Sequence, residues 1–242
     1  MNSIKTALVT GANKGIGLAT VERLARHGYK VWLGSRDFSR GQAAVESLRA
    51  KGLDVHLLTI DVADDDSVSK AAYFLTKQTT HLDILINNAG VALNLKSLPS
   101  DEKMSLIRET FETNTFGPIR VTQAFLPLLK AAEQARIIML SSIVGSIGLS
   151  SDPDIIYGQV NFMGYSSSKA ALNMVTVAFA KELGPSGIKV YAVEPGHIRT
   201  DLNENTGTLS THEGAAVPLR YATRNLDVTN GGFFGPEGAL PW

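Results

Sequence analysis

Tyr165 and Lys169 stand four residues apart in "GYSSSKAALNMVTVAFAKEL", a segment with helical periodicity, so both side chains project from one helix face. A free phenol, with a pKa of about 10, is a poor base at neutral pH, but a neighbouring ammonium favours the phenolate and eases proton exchange with a bound molecule. Lys169 is therefore expected to tune Tyr165. Alone, such a pair serves packing more often than chemistry. A second signal is "ALVTGANKGIG", which puts Gly11, Gly15 and Gly17 between an apolar strand and a helix start. Glycines there let backbone approach a pyrophosphate, and the free N–H groups and dipole of the helix start favour its charge. A merely tight turn would also use glycine. The next strand ends in "WLGSRD", where a dinucleotide fold places the side chain that reads the ribose. Arg36 occupies that place, and with Lys14 it could bind a 2′-phosphate, the guanidinium as a planar fork and the ammonium as a point charge. NADP(H) is then expected in preference to NAD(H), with the adjacent Asp37 keeping NADH open.

The elements that must position these groups alternate along the chain. Short β-branched runs are expected as strands at Ala7 to Thr10, Lys30 to Gly34, Val55 to Ile60, Ile84 to Asn87, Arg136 to Ser141, Lys189 to Val193 and Gly232 to Phe234. Longer helical patterns lie between them, the rhythm of βαβ units and a parallel sheet. Runs such as "IIML" and "ILI" are apolar at every position, as strands covered by helices on both faces should be. The fold class is therefore α/β: a single Rossmann-type, doubly wound parallel sheet of about seven strands, in one domain spanning residues 1–242. A helix from Ile16 to His27 is expected to stop at Gly28, and one starting near Tyr165 at the capping glycine of Gly184-Pro185. Two loop-like stretches, Ser150 to Asn161 and Asp201 to Glu213, follow the chemistry-bearing positions and are expected to shape a substrate pocket.

Composition narrows the partners. The 242 residues are 44% hydrophobic and carry 23 basic and 23 acidic side chains, so no global field would hold nucleic acid or an anionic membrane. A small-molecule partner is expected. Met1 to Lys5 run directly into apolar sequence, and no continuous apolar run is long enough to span a bilayer, so neither a leader nor a membrane anchor is expected and the cytoplasm is the expected location. The absence of cysteine excludes disulfides, thiolate catalysis and thiolate metal ligation. A metal site is not expected: His197 is a lone histidine, more naturally a pocket-lining residue than an acid or a ligand.

Taken together, these motifs resemble the short-chain dehydrogenases/reductases, in the family's order and over nearly the whole chain. "TGANKGIG" is similar to their cofactor turn, bringing Asn13 and Ile16 in with the glycines and Lys14. Asp61-Val62 resembles their adenine-contacting pair, Asn87 to Gly90 ("NNAG") the stretch after their fourth strand, and Asn114 their helix asparagine. Ser142 in "SSIVG", Tyr165 and Lys169 in "YSSSK", and "PGHIRT" from Pro195 to Thr200 complete the set. Within that family the chain looks most like the NADPH-dependent carbonyl reductases. The resemblance implies a hydride passed between nicotinamide and a carbonyl carbon, with Tyr165 giving a proton to the oxygen, Ser142 hydrogen-bonding it, Lys169 holding the nicotinamide ribose and Asn114 fixing a relay water. Asn88, Ala89 and Gly90, together with Pro195, Gly196, Ile198 and Thr200, would line the cofactor site.

Alternatives stay open at this point. Ser141 could replace Ser142, although alternation from a strand end lets only one face the cleft. Asn114 could be a buried amide bracing its helix. The intact set of four weighs against an NADP(H)-sensing regulatory protein without catalysis, and an epimerase or dehydratase would use the same pair without net cofactor consumption. Ile143, Val144, Met163 and His197 suggest a partly apolar pocket but specify no ligand. A homodimer or homotetramer is expected through the apolar faces around Ile107 to Leu129 and Tyr165 to Leu183, with a monomer left open. Trp32 is expected in the core, and Trp242 either covers a pocket or docks the tail.

Overall fold

The computed structural model describes residues 4–242; Met1 to Ser3, on which the expectation of no leader rests, lie outside the described residues. Eight strands form one sheet: β1 (Thr6–Val9), β2 (Lys30–Ser35), β3 (Val55–Thr59), β4 (Ile84–Asn87), β5 (Arg136–Leu140), β6 (Lys189–Val193), β7 (Phe233–Gly235) and β8 (Gly238–Ala239). The order is β3-β2-β1-β4-β5-β6-β7-β8. All pairings are parallel except β7 with β8. The eighth, two-residue strand is what the sequence reading missed, since two residues carry no periodicity. Expected and observed strands otherwise differ by single terminal residues, and the extra ones still bond once before the chain turns away. Thr10 donates to the Ile86 carbonyl, Ile60 to Ser35 and Ser141 to Val193.

Strand alternation splits the core in two. Ala7 and Val9 of β1 belong to one apolar cluster and Leu8 to the other, so the strand is buried on both faces. The first cluster is closed by helices α1 (Gly15–Arg26), α2 (Phe38–Arg49) and α9 (Ala216–Thr223). The second is closed by α3 (Asp65–Thr76), α5 (Gly117–Lys130) and α7 (Met163–Leu183). Each fully buried leucine or isoleucine here contributes about 2 kcal/mol of apolar burial. Strand order reverses between β1 and β4, which opens a crevice at their carboxyl ends.

Three local features have physical reasons. Around Ile107 to Leu129, α4 (Met104–Phe111) passes into α5 through a wide π-turn at Glu112–Phe116. Gly184 is not the reversing glycine. It stays right-handed at φ −55 and starts a single 3₁₀ turn, while Gly187, at φ +79, reverses the chain. The two loop-like stretches contain short helical turns, at Ile156–Gln159, at Asp201–Asn203 and in α8 (Thr211–Gly214). The last two are fixed by reciprocal capping from Thr200 with Asn203 and from Ser210 with Glu213. Among the described residues no helix is long and apolar enough to cross a membrane.

Candidate active site

Tyr165 and Lys169 ride on the first two turns of α7, whose inner face mixes buried polar side chains with the core residues Leu172, Phe179, Ala180 and Leu183. Ser168, Lys169, Asn173 and Thr176 are buried. The Lys169 Nζ donates to the Leu140 carbonyl at 2.7 Å and lies 5.7 Å from the centroid of the Tyr165 ring. This depth is permitted by Gly145, in the turn after β5: a Cβ there would fall 2.7 Å from the Lys169 Cβ and 2.9 Å from its carbonyl carbon. Ser142, which opens that turn, lies near enough to Tyr165 to pull the proton affinity of the phenol down. Ser141, by contrast, is buried and donates to the Asn173 Oδ1 at 2.6 Å, so alternation at the strand end aims only Ser142 at the phenol.

Burial dominates the proton affinities. Loss of hydration pushes Tyr165 up to about 12, with Ser142 pulling down and the charge of Glu194 pushing up. Burial drives Lys169 down to about 8. The expected downward pull of Lys169 on the phenol is therefore not what this arrangement gives, because the ammonium is directed at a carbonyl and is itself desolvated. Burial thus favours the protonated phenol.

Asn114 sits inside the π-turn with no exposed surface. Its amide oxygen accepts from the Val91 N–H and its amide nitrogen donates to the Val91 carbonyl, both at 2.8 Å, and to the Ser168 hydroxyl at 3.0 Å. It thus ties the segment after β4 to α7. A π-turn inserts one residue into a helix and is often found at functional positions; here it turns Asn114 inward. Gly90 passes directly over the pair, since a Cβ there would meet the Asn114 Oδ1 at 3.4 Å and the Lys169 Nζ at 3.6 Å.

Across the crevice lies the glycine turn. Gly11 adopts φ +61, and a Cβ on it would meet the Ala89 Cα at 2.8 Å. The Asn88 amide donates to the carbonyls of Thr10 and Gly11, and its side chain fills the space a Cβ on Gly17 would need. No side chain caps α1, whose cap position is Lys14, and its first turn holds no acid. Asn13 and Ile16 complete the turn, half-buried. Arg36 is exposed just past β2, whereas Asp37 is committed to capping α2 by accepting from the Arg40 N–H at 2.9 Å. Lys14 is paired with Asp201 at 2.6 Å, both well exposed, so the contact is weak and screened by solvent. Asp61 turns back to accept from the Ala63 N–H, and Val62 packs against Gly117.

Beyond β6, Pro195 is buried, Gly196 takes φ +97, and Thr200 lies beside the glycine turn. The Ile198 side chain is buried against Gly214 and Leu209 rather than in the cleft, and His197 is exposed. Trp32 is in the core, 3% exposed, and Trp242 docks the tail by stacking on Phe233 while its carbonyl accepts from Gly148. Two residues escaped the sequence reading. Glu102, from the segment before α4, accepts from the Gly164 N–H at 3.0 Å and so caps α7 from outside; a cap supplied from a distant segment leaves no local signal. Glu194, beside the motif that begins at Pro195, is a buried acid, and only its place in an apolar strand could have marked it.

Comparison with known proteins agrees with this geometry. The family model described as short chain dehydrogenase matches residues 5–209. The chain is 36% identical to (+)-neomenthol dehydrogenase of Arabidopsis thaliana, over 94% of each chain. It is 32% identical to Carbonyl reductase [NADPH] 1 of Macaca fascicularis, over 98% of this chain and 95% of that one. Its fold superimposes on NADPH-bound carbonyl reductase from chicken fatty liver with a TM-score of 0.87, at 29% identity and 99% coverage of both chains.

Proposed function

The chain belongs to the short-chain dehydrogenase family of oxidoreductases, and on that premise we propose that it interconverts an aldehyde or ketone with its alcohol, using NADP(H), with Tyr165 as acid and base. The observation that carries this reading is the meeting of Ser142, Tyr165 and Lys169 at the carboxyl ends of the strands, opposite the uncapped start of α1. The site fits the cofactor in three respects: Gly11 and Gly17 leave the turn bare, the first N–H groups of α1 have no side-chain cap, and Gly90 leaves Lys169 room toward the crevice. Arg36, which carries no cap or ion pair among the described residues, and Lys14 would take a 2′-phosphate; Asp37 is occupied by its helix, which favours NADP(H) over NAD(H). Both relatives named for NADPH point the same way.

When bound, the reduced nicotinamide supplies a hydride to the carbonyl carbon. Tyr165 donates its proton to the carbonyl oxygen as charge develops there, and Ser142 donates a hydrogen bond to the same oxygen. Lys169 replenishes the proton and holds the nicotinamide ribose, while Asn114 keeps the segment from Asn88 to Val91 fixed against α7. Pro195, Gly196 and Thr200 bound the nicotinamide end, with Ile198 supporting them from below. We further propose a cytoplasmic homo-oligomer.

The test mixes purified protein with NADPH and a panel of aldehydes, diketones and aryl ketones, following NADPH absorbance with Tyr165→Phe alongside. Consumption by the wild type and a loss of at least about 10²-fold in the variant is the expected result. Tight NADPH binding without turnover across the panel would favour a sensing role instead.

A further inference from the structure

Ser142 sits on a turn, and its hydroxyl is only as well placed as the chain on either side of it. That chain is held from α7 by two side chains four residues apart, which share one helix face. Lys169 donates to the Leu140 carbonyl at 2.7 Å. Asn173 takes hold at two points: its Oδ1 accepts from the Ser141 hydroxyl at 2.6 Å, and its Nδ2 donates to the Gly145 carbonyl at 3.2 Å. The Gly145 N–H donates in turn to the Ser142 carbonyl at 2.9 Å, which closes the circuit. One amide therefore grips the turn both before and after Ser142.

Asn173 and Ser141 are each 4% exposed, so both bonds lie out of the reach of solvent and hold their geometry. Asparagine is a weaker helix former than leucine or alanine, and a buried polar pair adds little stability over an apolar pair of the same shape. Leu172 and Phe179 fill the core from the same helix without any polar atom. Alanine and leucine at positions 141 and 173 would pack the interface too, but they would leave the turn free to slide along α7. We infer that Asn173 is a positioning residue for the proposed reduction: by holding Ser141 and Gly145 it sets the Ser142 hydroxyl against the oxygen that Tyr165 protonates. It is buried too deeply to meet substrate or cofactor and acts through Ser142.

The inference rests on the roles proposed for Ser142 and Tyr165, and a double-mutant cycle separates the two. Turnover of NADPH with the best aldehyde or ketone of the panel is measured for the wild type, Asn173→Ala, Ser142→Ala and the double variant. NADPH affinity by fluorescence and thermal unfolding are followed on the same proteins. Asn173→Ala is expected to lower kcat about tenfold and to leave NADPH affinity unchanged. With Ser142→Ala already in place, the same substitution is expected to lower kcat less than about twofold, because the group it positions is gone. Its effect on thermal unfolding should be equal in both backgrounds. A kcat loss that is as large without the Ser142 hydroxyl as with it overturns the inference and leaves Asn173 a structural amide, and so does an unchanged kcat in Asn173→Ala. Full activity in Ser142→Ala overturns instead the reading of Ser142 on which the inference rests. Should Asn173→Ala not fold, Ser141→Ala breaks the 2.6 Å bond from the side of the turn and carries the same expected pattern across the two backgrounds and the same overturning results.

Discussion

Lys169 shows how far function and stability pull apart at a single residue. Its pKa falls from 10.5 in an unstructured chain to about 8, so the unfolded state binds the proton more tightly. The resulting penalty is fully present at neutral pH and fades as pH rises from about 8 toward 10.5, a cost of roughly 3 kcal/mol below that window. Lys169→Met is therefore expected to raise the midpoint of thermal unfolding at pH 7, measured by calorimetry, while reductase activity falls at least about 10²-fold. The same ionisation makes wild-type reduction decline as pH rises through about 8, since Tyr165 holds its proton to about 12 and is not the group lost there. A reduction rate flat to pH 10 would contradict this. At the other end of the cleft, Arg36→Asp should lower the preference for NADPH over NADH by at least about tenfold, read from the two kcat/KM values. These residues were legible in the sequence because each belongs to a motif whose spacing encodes a shared face or a shared turn. The direction of the Tyr165 shift was not, because it depends on where the ammonium is aimed and how deeply both groups are buried.

At the scale of elements, α7 is held in place by contacts that come from elsewhere. Gly145 lets the turn after β5 touch it backbone to backbone, and Glu102 caps its start. Gly145→Ala must push one of these elements away, at a cost of about 1–3 kcal/mol. Turnover should drop sharply while NADPH affinity, measured by fluorescence, holds. Glu102→Ala removes a cap worth about 1 kcal/mol, and Glu102→Gln should recover most of that loss in thermal unfolding, because the amide oxygen can still accept. The strands were readable in advance from apolar runs and the α1 boundary from Gly28. The π-turn at Asn114 was not: one inserted residue leaves the hydrophobic pattern of α4 and α5 almost intact. Gly187 was hidden by Gly184-Pro185, which carries the stronger stop signal and turned out to open a further helical turn.

The molecule as a whole leaves large apolar groups on one part of its surface: Met174 on the outer face of α7 is 61% exposed, as are large parts of Met104 and Phe116 on the neighbouring elements. Exposed apolar groups of this size suit packing on a second copy. Light scattering should give at least twice the 25.9 kDa chain mass, and Met174→Lys should move the protein toward that monomer mass without disturbing the fold. The parallel sheet and its two-faced core followed from the sequence rhythm. The two tryptophans divide the molecule optically. Trp32 is enclosed in the core against His56 and Phe74, whereas Trp242 lies open on Phe233 at the tail. Excited together, they emit as a blue and a red component, so the tail coming off α6 (Ile147–Ser150) would redden only one of them, and the protein carries its own reporter for the docking of its last residues.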